Sequence, residues 1–148
     1  MCGAHATVRG LLGELVADSA ADRDIIVDME AGLEHLSRGT GRHVSRFLAV
    51  VEPYYRSMET ARRIAELATE LGIGEVDAVA NKVRDAADRQ AIADFCAAHS
   101  LPIIGEIPYD ETLVASERAG VPPIEADPPG PAVDGVRRLA RTLRSGAA

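Results

Sequence analysis

Short β-branched runs alternate with segments of helical periodicity along most of this 148-residue sequence. The runs are "DIIVD" at 24–28, "RFLAVVEP" at 46–53, "EVDAVANKV" at 75–83 and "LPIIGEIPYD" at 101–110. Strands that alternate with helices in this way are typical of βαβ units. The pattern therefore predicts an α/β fold, with a mostly parallel sheet covered by helices on both faces.

Helices are predicted between and around these runs. The clearest is "SMETARRIAELATELG" at 57–72, which has Ser57 and Thr60 as possible caps and Gly72 as its stop. We predict a single domain over 1–148, with a proline-rich connection at 121–131 and a basic terminal helix at 132–145.

Charge and cysteine content limit the class of protein. A net charge of -7 and a pI near 5.1 argue against nucleic-acid binding and against binding to anionic membranes, because both need a basic surface. No apolar run reaches the roughly 20 residues that span a bilayer. The two cysteines, Cys2 and Cys96, have no disulfide-framework spacing, and the first residues lack the features of a signal peptide. A cytoplasmic location is the simplest prediction.

Polar residues follow each predicted strand, where ligands bind in open parallel sheets. They are Asp28, Glu30, Gly32 and Glu34 after the first run, Glu52, Pro53 and Tyr54 after the second, Asn81 and Lys82 after the third, and Pro108, Tyr109 and Asp110 after the fourth. An acid beside a glycine suits a metal-bound water and a phosphate, and an asparagine suits the donors and acceptors of a base.

Each of these residues also has a simpler explanation. Asp28 and Asn81 are residue types that cap turns and helices, and Pro108 can merely end a strand, so at any single position capping is the more frequent role. Four polar strand ends together favour a nucleotide site. Its strongest signal is missing, because the sequence contains no G-x-x-x-x-G-K-[ST] phosphate loop.

Four segments, "VDMEAGLEHLSRGT", "VVEPYYRSMETARRIAELATELGI", "VANKVRD" and "GEIPYDETLVASERAG", resemble the consecutive motifs of MinD/ParA-like ATPases. The similarity is greatest to the CooC type, the nickel-insertion accessory ATPase of carbon-monoxide dehydrogenase, and runs from about Cys2 to Pro122. The resemblance implies a partial P-loop NTPase fold that lacks the N-terminal phosphate-loop strand. The sequence is therefore expected to be a C-terminal portion, produced by an internal methionine taken as a start or by a gene fragment.

The same resemblance implies roles for individual residues. Asp28 would sense the magnesium-bound water and the γ-phosphate, with the Gly32 backbone near that phosphate and Glu30 where MinD relatives carry a proline. On the base side, Asn81 would contact adenine, and Pro108 with Asp110 would border the base pocket. Lys82 would lie close to that pocket, with no assigned role.

Cofactors and partners follow from the resemblance as well. The full family form uses ATP and Mg²⁺ and forms a dimer, and a C-x-C pair binds metal at the dimer interface. Cys2 matches the second cysteine of that pair, so it is a candidate ligand for Zn²⁺ or Ni²⁺, although an exposed terminal cysteine more often has no such role. The implied partners are a second copy or a full-length ATPase, and a metalloenzyme client such as carbon-monoxide dehydrogenase.

Two other functions stay open. In the family's sheet the phosphate-loop strand lies between the strands that match "DIIVD" and "FLAVV", and its absence would leave two apolar edges facing a gap. A short module that lacks the phosphate loop could dock on a full-length ATPase or a client through that opening. A generic receiver-like α/β domain is the other alternative. Receivers place paired acids after the first strand and a lysine after the last, which is not found in this sequence.

Overall fold

The computed structural model describes Glu14, 24–28, 44–72 and 75–146. Strands and helices alternate through the described part of the chain. They are β1 (Arg46–Val51), α1 (Tyr55–Glu70), β2 (Glu75–Val83), α2 (Ala86–Ala98), β3 (Ile103–Pro108), α3 (Thr112–Ala119), a 3-10 turn at Pro123–Glu125, and α4 (Pro131–Ser145).

The three strands form one sheet in the order β1-β2-β3, and β2 pairs with β3 in parallel. Residues 77–80 of β2 are buried without interruption. Continuous burial is expected for a strand that is covered on both faces, because a strand with one wet face would alternate buried and exposed positions. The predicted α/β class with a parallel sheet is therefore confirmed.

The prediction of a strand at "DIIVD" is wrong. Residues 24–28 have no regular secondary structure, and the side chain of Ile26 is 91% exposed. A β-branched composition favours extended backbone, but a strand forms only when a neighbour completes its hydrogen bonds. No described segment pairs with 24–28, since the described sheet contains β1, β2 and β3 alone.

The helices begin and end close to their predicted bounds. α1 begins at Tyr55, two residues before the predicted cap Ser57, and the chain leaves it through Gly72, whose φ of +61° suits glycine. α2 begins after Asp85, whose carboxylate accepts a hydrogen bond from the Asp88 N–H. Before residue 24 only Glu14 is described, and it is helical. None of the described helices has the length and hydropathy needed to cross a membrane.

Two compact units make up the chain: Met1–Phe47 with Arg63–Glu75, and Leu48–Arg62 with Val76–Ala148. In the first, the Arg46 guanidinium pairs with the Glu75 carboxylate at 2.6 Å. The second contains the largest fully buried side chains, Val51, Val79, Ile92 and Cys96. In α2, Ile92 and Cys96 are buried and Phe95 is half-buried. The single domain over 1–148 stays a prediction.

α4 packs directly on β3. Gly135 has no room for a side chain, because a Cβ there would lie 3.0 Å from the Glu106 carbonyl oxygen and 3.2 Å from the Ile107 Cα. Glycine at this position thus lets the helix backbone approach the strand backbone. The helix then covers the end of β3, where the candidate site lies.

One carboxylate fixes the start of α4 to the end of β3. The Asp110 side chain is buried, and its Oδ1 accepts hydrogen bonds from the Thr112 N–H at 2.9 Å and the Thr112 hydroxyl at 2.6 Å. Its Oδ2 accepts a hydrogen bond from the Ala132 N–H at 3.0 Å, across 22 positions of the sequence. Asp110 therefore satisfies free N–H groups at the first turns of both α3 and α4.

These bonds set the ionisation of Asp110. Burial alone would raise the pKa of this carboxyl, because it disfavours the charged form, but the hydrogen bonds from Thr112 and Ala132 outweigh burial and lower the pKa below its ordinary value. A carboxyl whose pKa is lower in the folded state stabilises the fold above its unfolded pKa of about 4. That contribution is lost as the pH falls through the folded pKa.

We expect Asp110→Asn to lower the free energy of unfolding by about 1.5–3 kcal/mol at neutral pH, because an amide cannot accept all three hydrogen bonds. Urea unfolding at neutral pH and at a pH of about 3 measures the change. The difference between wild type and variant should shrink as the pH falls below the unfolded pKa of about 4 and through the lowered pKa of folded Asp110. Asp134→Asn, at an exposed position of α4, is the control and should cost less than about 0.5 kcal/mol. An equal cost in the two variants would contradict the role of Asp110.

Candidate functional site

The carboxyl ends of the three strands lie at Val51, Val83 and Pro108, each followed by polar or aromatic residues. In a parallel sheet these ends meet at one edge, which is where such folds bind ligands. Contacts between side chains and backbone groups join neighbouring strand ends in the described part of the chain. We call this region the carboxyl edge.

β2 carries a bulge at this edge. Asn81 pairs with Ile107 and Val83 pairs with Pro108, so β2 advances by two residues while β3 advances by one. The extra residue, Lys82, has a φ of +55°, which is uncommon for any residue other than glycine. Bulges of this kind re-aim the neighbouring side chains and are frequent beside functional sites.

An ion pair joins the ends of β1 and β2. The Lys82 Nζ lies 2.7 Å from the Glu52 Oε1, with side chains 51% and 26% exposed. Glu52 is also fixed through its backbone, because its N–H donates to the Ser57 hydroxyl at 2.9 Å. Solvent weakens a pair this exposed, so its main effect is to orient the two side chains and only secondarily to stabilise the fold.

Arg84 connects all three strand ends. One of its guanidinium nitrogens lies 3.3 Å from the Tyr54 hydroxyl, and its Cζ lies 4.6 Å from the centroid of the Tyr109 ring. The hydrogen bond with Tyr54 is the main cause that raises the pKa of Arg84, so the guanidinium stays charged. The Tyr109 N–H donates to the Val83 carbonyl at 2.9 Å. These contacts place the Tyr109 ring and the Tyr54 hydroxyl against a single cation.

The predicted base-side residues come together at this edge. Asn81 is half-buried and Lys82 is exposed next to it, while Pro108 is half-buried opposite Val83. Asp110 follows directly, but its carboxylate already accepts hydrogen bonds from the starts of α3 and α4. The structure thus gives Asp110 a positioning role, and direct contact of Asp110 with a base stays a prediction.

Of the residues predicted for the phosphate side and the metal site, only Asp28 lies in the described part of the chain. Asp28 is exposed and lies in a segment without regular secondary structure. Glu30, Gly32 and Cys2 lie outside the described residues. Within the described ranges, no three His, Cys, Asp or Glu side chains gather as a metal site would require. The roles of Asp28, Glu30, Gly32 and Cys2 stay predictions.

Sequence reasoning missed Arg84 and Ser57 as members of the edge. A signal for Arg84 was present in "VANKVRD", where an arginine follows the candidate base-binding asparagine by three residues. A second signal was the small number of aromatic residues, three tyrosines and two phenylalanines. All three tyrosines come soon after predicted strands, Tyr54 and Tyr55 after the second run and Tyr109 after the fourth. Ser57 was expected to cap α1, and its hydroxyl instead accepts from Glu52.

The positive φ of Lys82 leads to a stability prediction. Lys82→Ala and Lys82→Gly both remove the ion pair, but only alanine keeps a Cβ that opposes the left-handed conformation. We expect the glycine variant to be the more stable of the two by about 1 kcal/mol, measured by urea unfolding. At an exposed mid-helix position of α2, Ala91→Gly should instead destabilise the fold, by about 1 kcal/mol. A Lys82→Ala variant as stable as Lys82→Gly would mean that the bulge relaxes without glycine.

The chain is similar to known proteins over most of its length. No protein-family model matches the chain. An uncharacterized ATP-binding protein of Methanocaldococcus jannaschii is 38% identical over 123 residues, covering 82% of this chain and 47% of the relative. The carbon monoxide dehydrogenase accessory protein CooC of Rhodospirillum rubrum is 37% identical over 121 residues, covering 82% of this chain and 44% of the relative. The chain thus spans somewhat less than half the length of these relatives.

Solved structures show the same fold. MinD in the MinC:MinD cell division protein complex of Aquifex aeolicus superposes with a TM-score of 0.75 at 23% identity, covering 95% of this chain and 59% of that chain. The cell division ATPase MinD of Pyrococcus furiosus gives 0.66 at 16% identity, covering 95% of this chain and 58% of that chain. The similar sequences and the shared fold together show that this chain belongs to the CooC/MinD-like family of P-loop ATPases.

Proposed function

We propose that this chain forms the base-binding side of the ATP site of a CooC/MinD-like ATPase. The observation that carries the proposal is the carboxyl edge, where the bulge at Lys82 sets Asn81 beside the ends of β2 and β3. An asparagine carboxamide offers the donor and the acceptor that the edge of an adenine requires. The relatives named as ATP-binding proteins support the choice of nucleotide.

The phosphate side of the site is proposed from the resemblance alone. Asp28 would hold a magnesium-bound water, and Glu30 and Gly32 would follow in the same loop. A bound Mg²⁺ would supply the charge that neutralises the phosphates. Because the sequence contains no phosphate-loop motif, it lacks the backbone N–H nest and the lysines that stabilise phosphoryl transfer. We propose that the 148 residues are a C-terminal portion that does not hydrolyse ATP alone.

The complete form would use ATP hydrolysis in metallocentre maturation. Support comes from the similarity to CooC, which is named as a carbon monoxide dehydrogenase accessory protein. The proposed client is a nickel enzyme such as carbon-monoxide dehydrogenase, and the proposed compartment is the cytoplasm. A homodimer would bring two Cys2 thiols together as ligands for Zn²⁺ or Ni²⁺.

Lys82 allows a direct test, because it is the only lysine in the sequence and lies beside Asn81. An amine-acylating reagent modifies only Lys82 and the N-terminus, and mass spectrometry separates the two products. We expect ATP to slow acylation of Lys82 by about tenfold at ten times its Kd, while the N-terminal amine reacts unchanged. Asn81→Ala should abolish the protection without changing the rate in the absence of ATP.

Two further measurements complete this test. Equilibrium dialysis with labelled ATP should detect binding by wild type, and a phosphate-release assay should detect no turnover above the buffer background. If ATP neither binds nor protects Lys82, the proposed nucleotide site is wrong. Stoichiometric ATP hydrolysis by the chain alone would instead overturn the claim that it needs a phosphate loop from elsewhere.

A second function is favoured by β1. This strand lies at an edge of the described sheet, and its side chains Leu48 and Val50 are 39% and 57% exposed. An edge strand with exposed apolar side chains is a site for pairing with another chain. The alternative proposal is a short module that docks through β1 on a full-length ATPase of the same family.

A pull-down with a purified full-length CooC-type ATPase tests this alternative. Val50→Lys should reduce capture by about tenfold or more, because it inserts a charge into an apolar contact. Val136→Lys is a matched control on α4, where the native valine is 51% exposed, and it should leave capture unchanged. A wild-type chain that stays monomeric and is not captured would exclude the docking function.

A further inference from the structure

Aromatic side chains are concentrated at the carboxyl edge although the chain has few of them. The sequence contains three tyrosines, two phenylalanines and no tryptophan. Tyr54 lies three residues after β1, Tyr55 begins α1, and Tyr109 directly follows β3. Tyr54 is 49% exposed and Tyr109 is 40% exposed, so neither ring is used to fill the core. Partly exposed rings beside a predicted nucleotide site offer a flat surface for a base.

Arg84 holds two of these rings in place. Its guanidinium lies over the Tyr109 ring at 4.6 Å and bonds the Tyr54 hydroxyl at 3.3 Å. The Arg84 N–H in turn donates to the Asp88 carboxylate at 3.0 Å, which fixes the backbone at the start of α2. A ring held before the ligand arrives loses little conformational freedom on binding. The arrangement is therefore suited to stacking.

Backbone pairing between β2 and β3 connects Tyr109 to the strand that carries Asn81. The Tyr109 N–H donates to the Val83 carbonyl at 2.9 Å, and Val83 follows Asn81 by two residues. Asn81 itself pairs with Ile107, two residues before Tyr109. The carboxamide and the ring thus belong to neighbouring strand ends, with Tyr109 two residues beyond the β3 residue that pairs with Asn81. The Asn81 carboxamide can hydrogen-bond the edge of a base while the Tyr109 ring stacks on its face.

We propose that Tyr109, positioned by Arg84, is a stacking surface for the purine ring and gives the site a preference for purine over pyrimidine nucleotides. The proposal rests on the nucleotide site proposed above and adds to it the residue that contacts the face of the base. Arg84 is a positioning residue, since it acts through Tyr54 and Tyr109. Stacking on an aromatic side chain changes affinity by about 5- to 150-fold per base.

The test is the ratio of ATP to UTP affinity, measured by equilibrium dialysis on the full chain. Tyr109→Leu keeps an apolar side chain but removes the π-face, and we expect it to lower ATP affinity about tenfold and UTP affinity by less, because a one-ring base has the smaller stacking area. Arg84→Ala should lower the ratio as well, and Arg84→Lys should restore part of it because a cation remains over the ring. Tyr55→Leu is the matched control, at a tyrosine that is 71% exposed.

The outcomes separate this inference from the function on which it rests. If Tyr109→Leu weakens ATP and UTP equally, or weakens neither, the stacking role is wrong, while ATP protection of Lys82 in wild type keeps the nucleotide site. If wild type binds no nucleotide, both proposals fall. Equal ratios for Tyr55→Leu and Tyr109→Leu would also overturn the inference. Circular dichroism and urea unfolding of each variant confirm that the fold is retained.

Discussion

The geometry of the carboxyl edge depends on the hydrogen bonds that the Asp110 carboxylate accepts. Its two oxygens accept three hydrogen bonds, from both donors of Thr112 and from the Ala132 N–H. Through them the chain leaving β3, the start of α3 and the start of α4 share one buried anion. Gly130 makes this possible, because any side chain there would overlap the Asp110 carboxylate and the Thr112 hydroxyl. A fixed Asp110 in turn fixes the adjacent Tyr109.

From that anchored end, the contacts continue across the sheet in one direction. Tyr109 is bound to Val83 through the backbone and to Arg84 through its ring. Arg84 reaches Tyr54, and Lys82 reaches Glu52, so both contacts end on the segment that follows β1. Each contact is weak in water when taken alone. Together they orient several side chains at once, which is what a binding site requires of residues that lie on different strands.

The bulge in β2 explains the strained backbone of Lys82. A left-handed lysine costs about 1–2 kcal/mol, and such costs persist where the surrounding structure determines the conformation. Here the paired positions Asn81 with Ile107 and Val83 with Pro108 determine it, because one residue of β2 must be left out of the ladder. The excluded residue projects its ammonium toward Glu52, and Asn81 is left at the end of the regular ladder.

The sequence alone determined the alternation of strands and helices, the parallel class of the sheet and the helix stop at Gly72. It also predicted a nucleotide site at the ends of β2 and β3. These features follow from local periodicity and from the conformational preferences of single residues. The tertiary structure decided that 24–28 is not a strand, because a strand depends on a hydrogen-bonding neighbour that its own composition cannot supply. It decided the bulge at Lys82 and the contact of Asp110 with Ala132 as well. Those contacts join residues far apart in the chain, and only packing determines which distant groups meet.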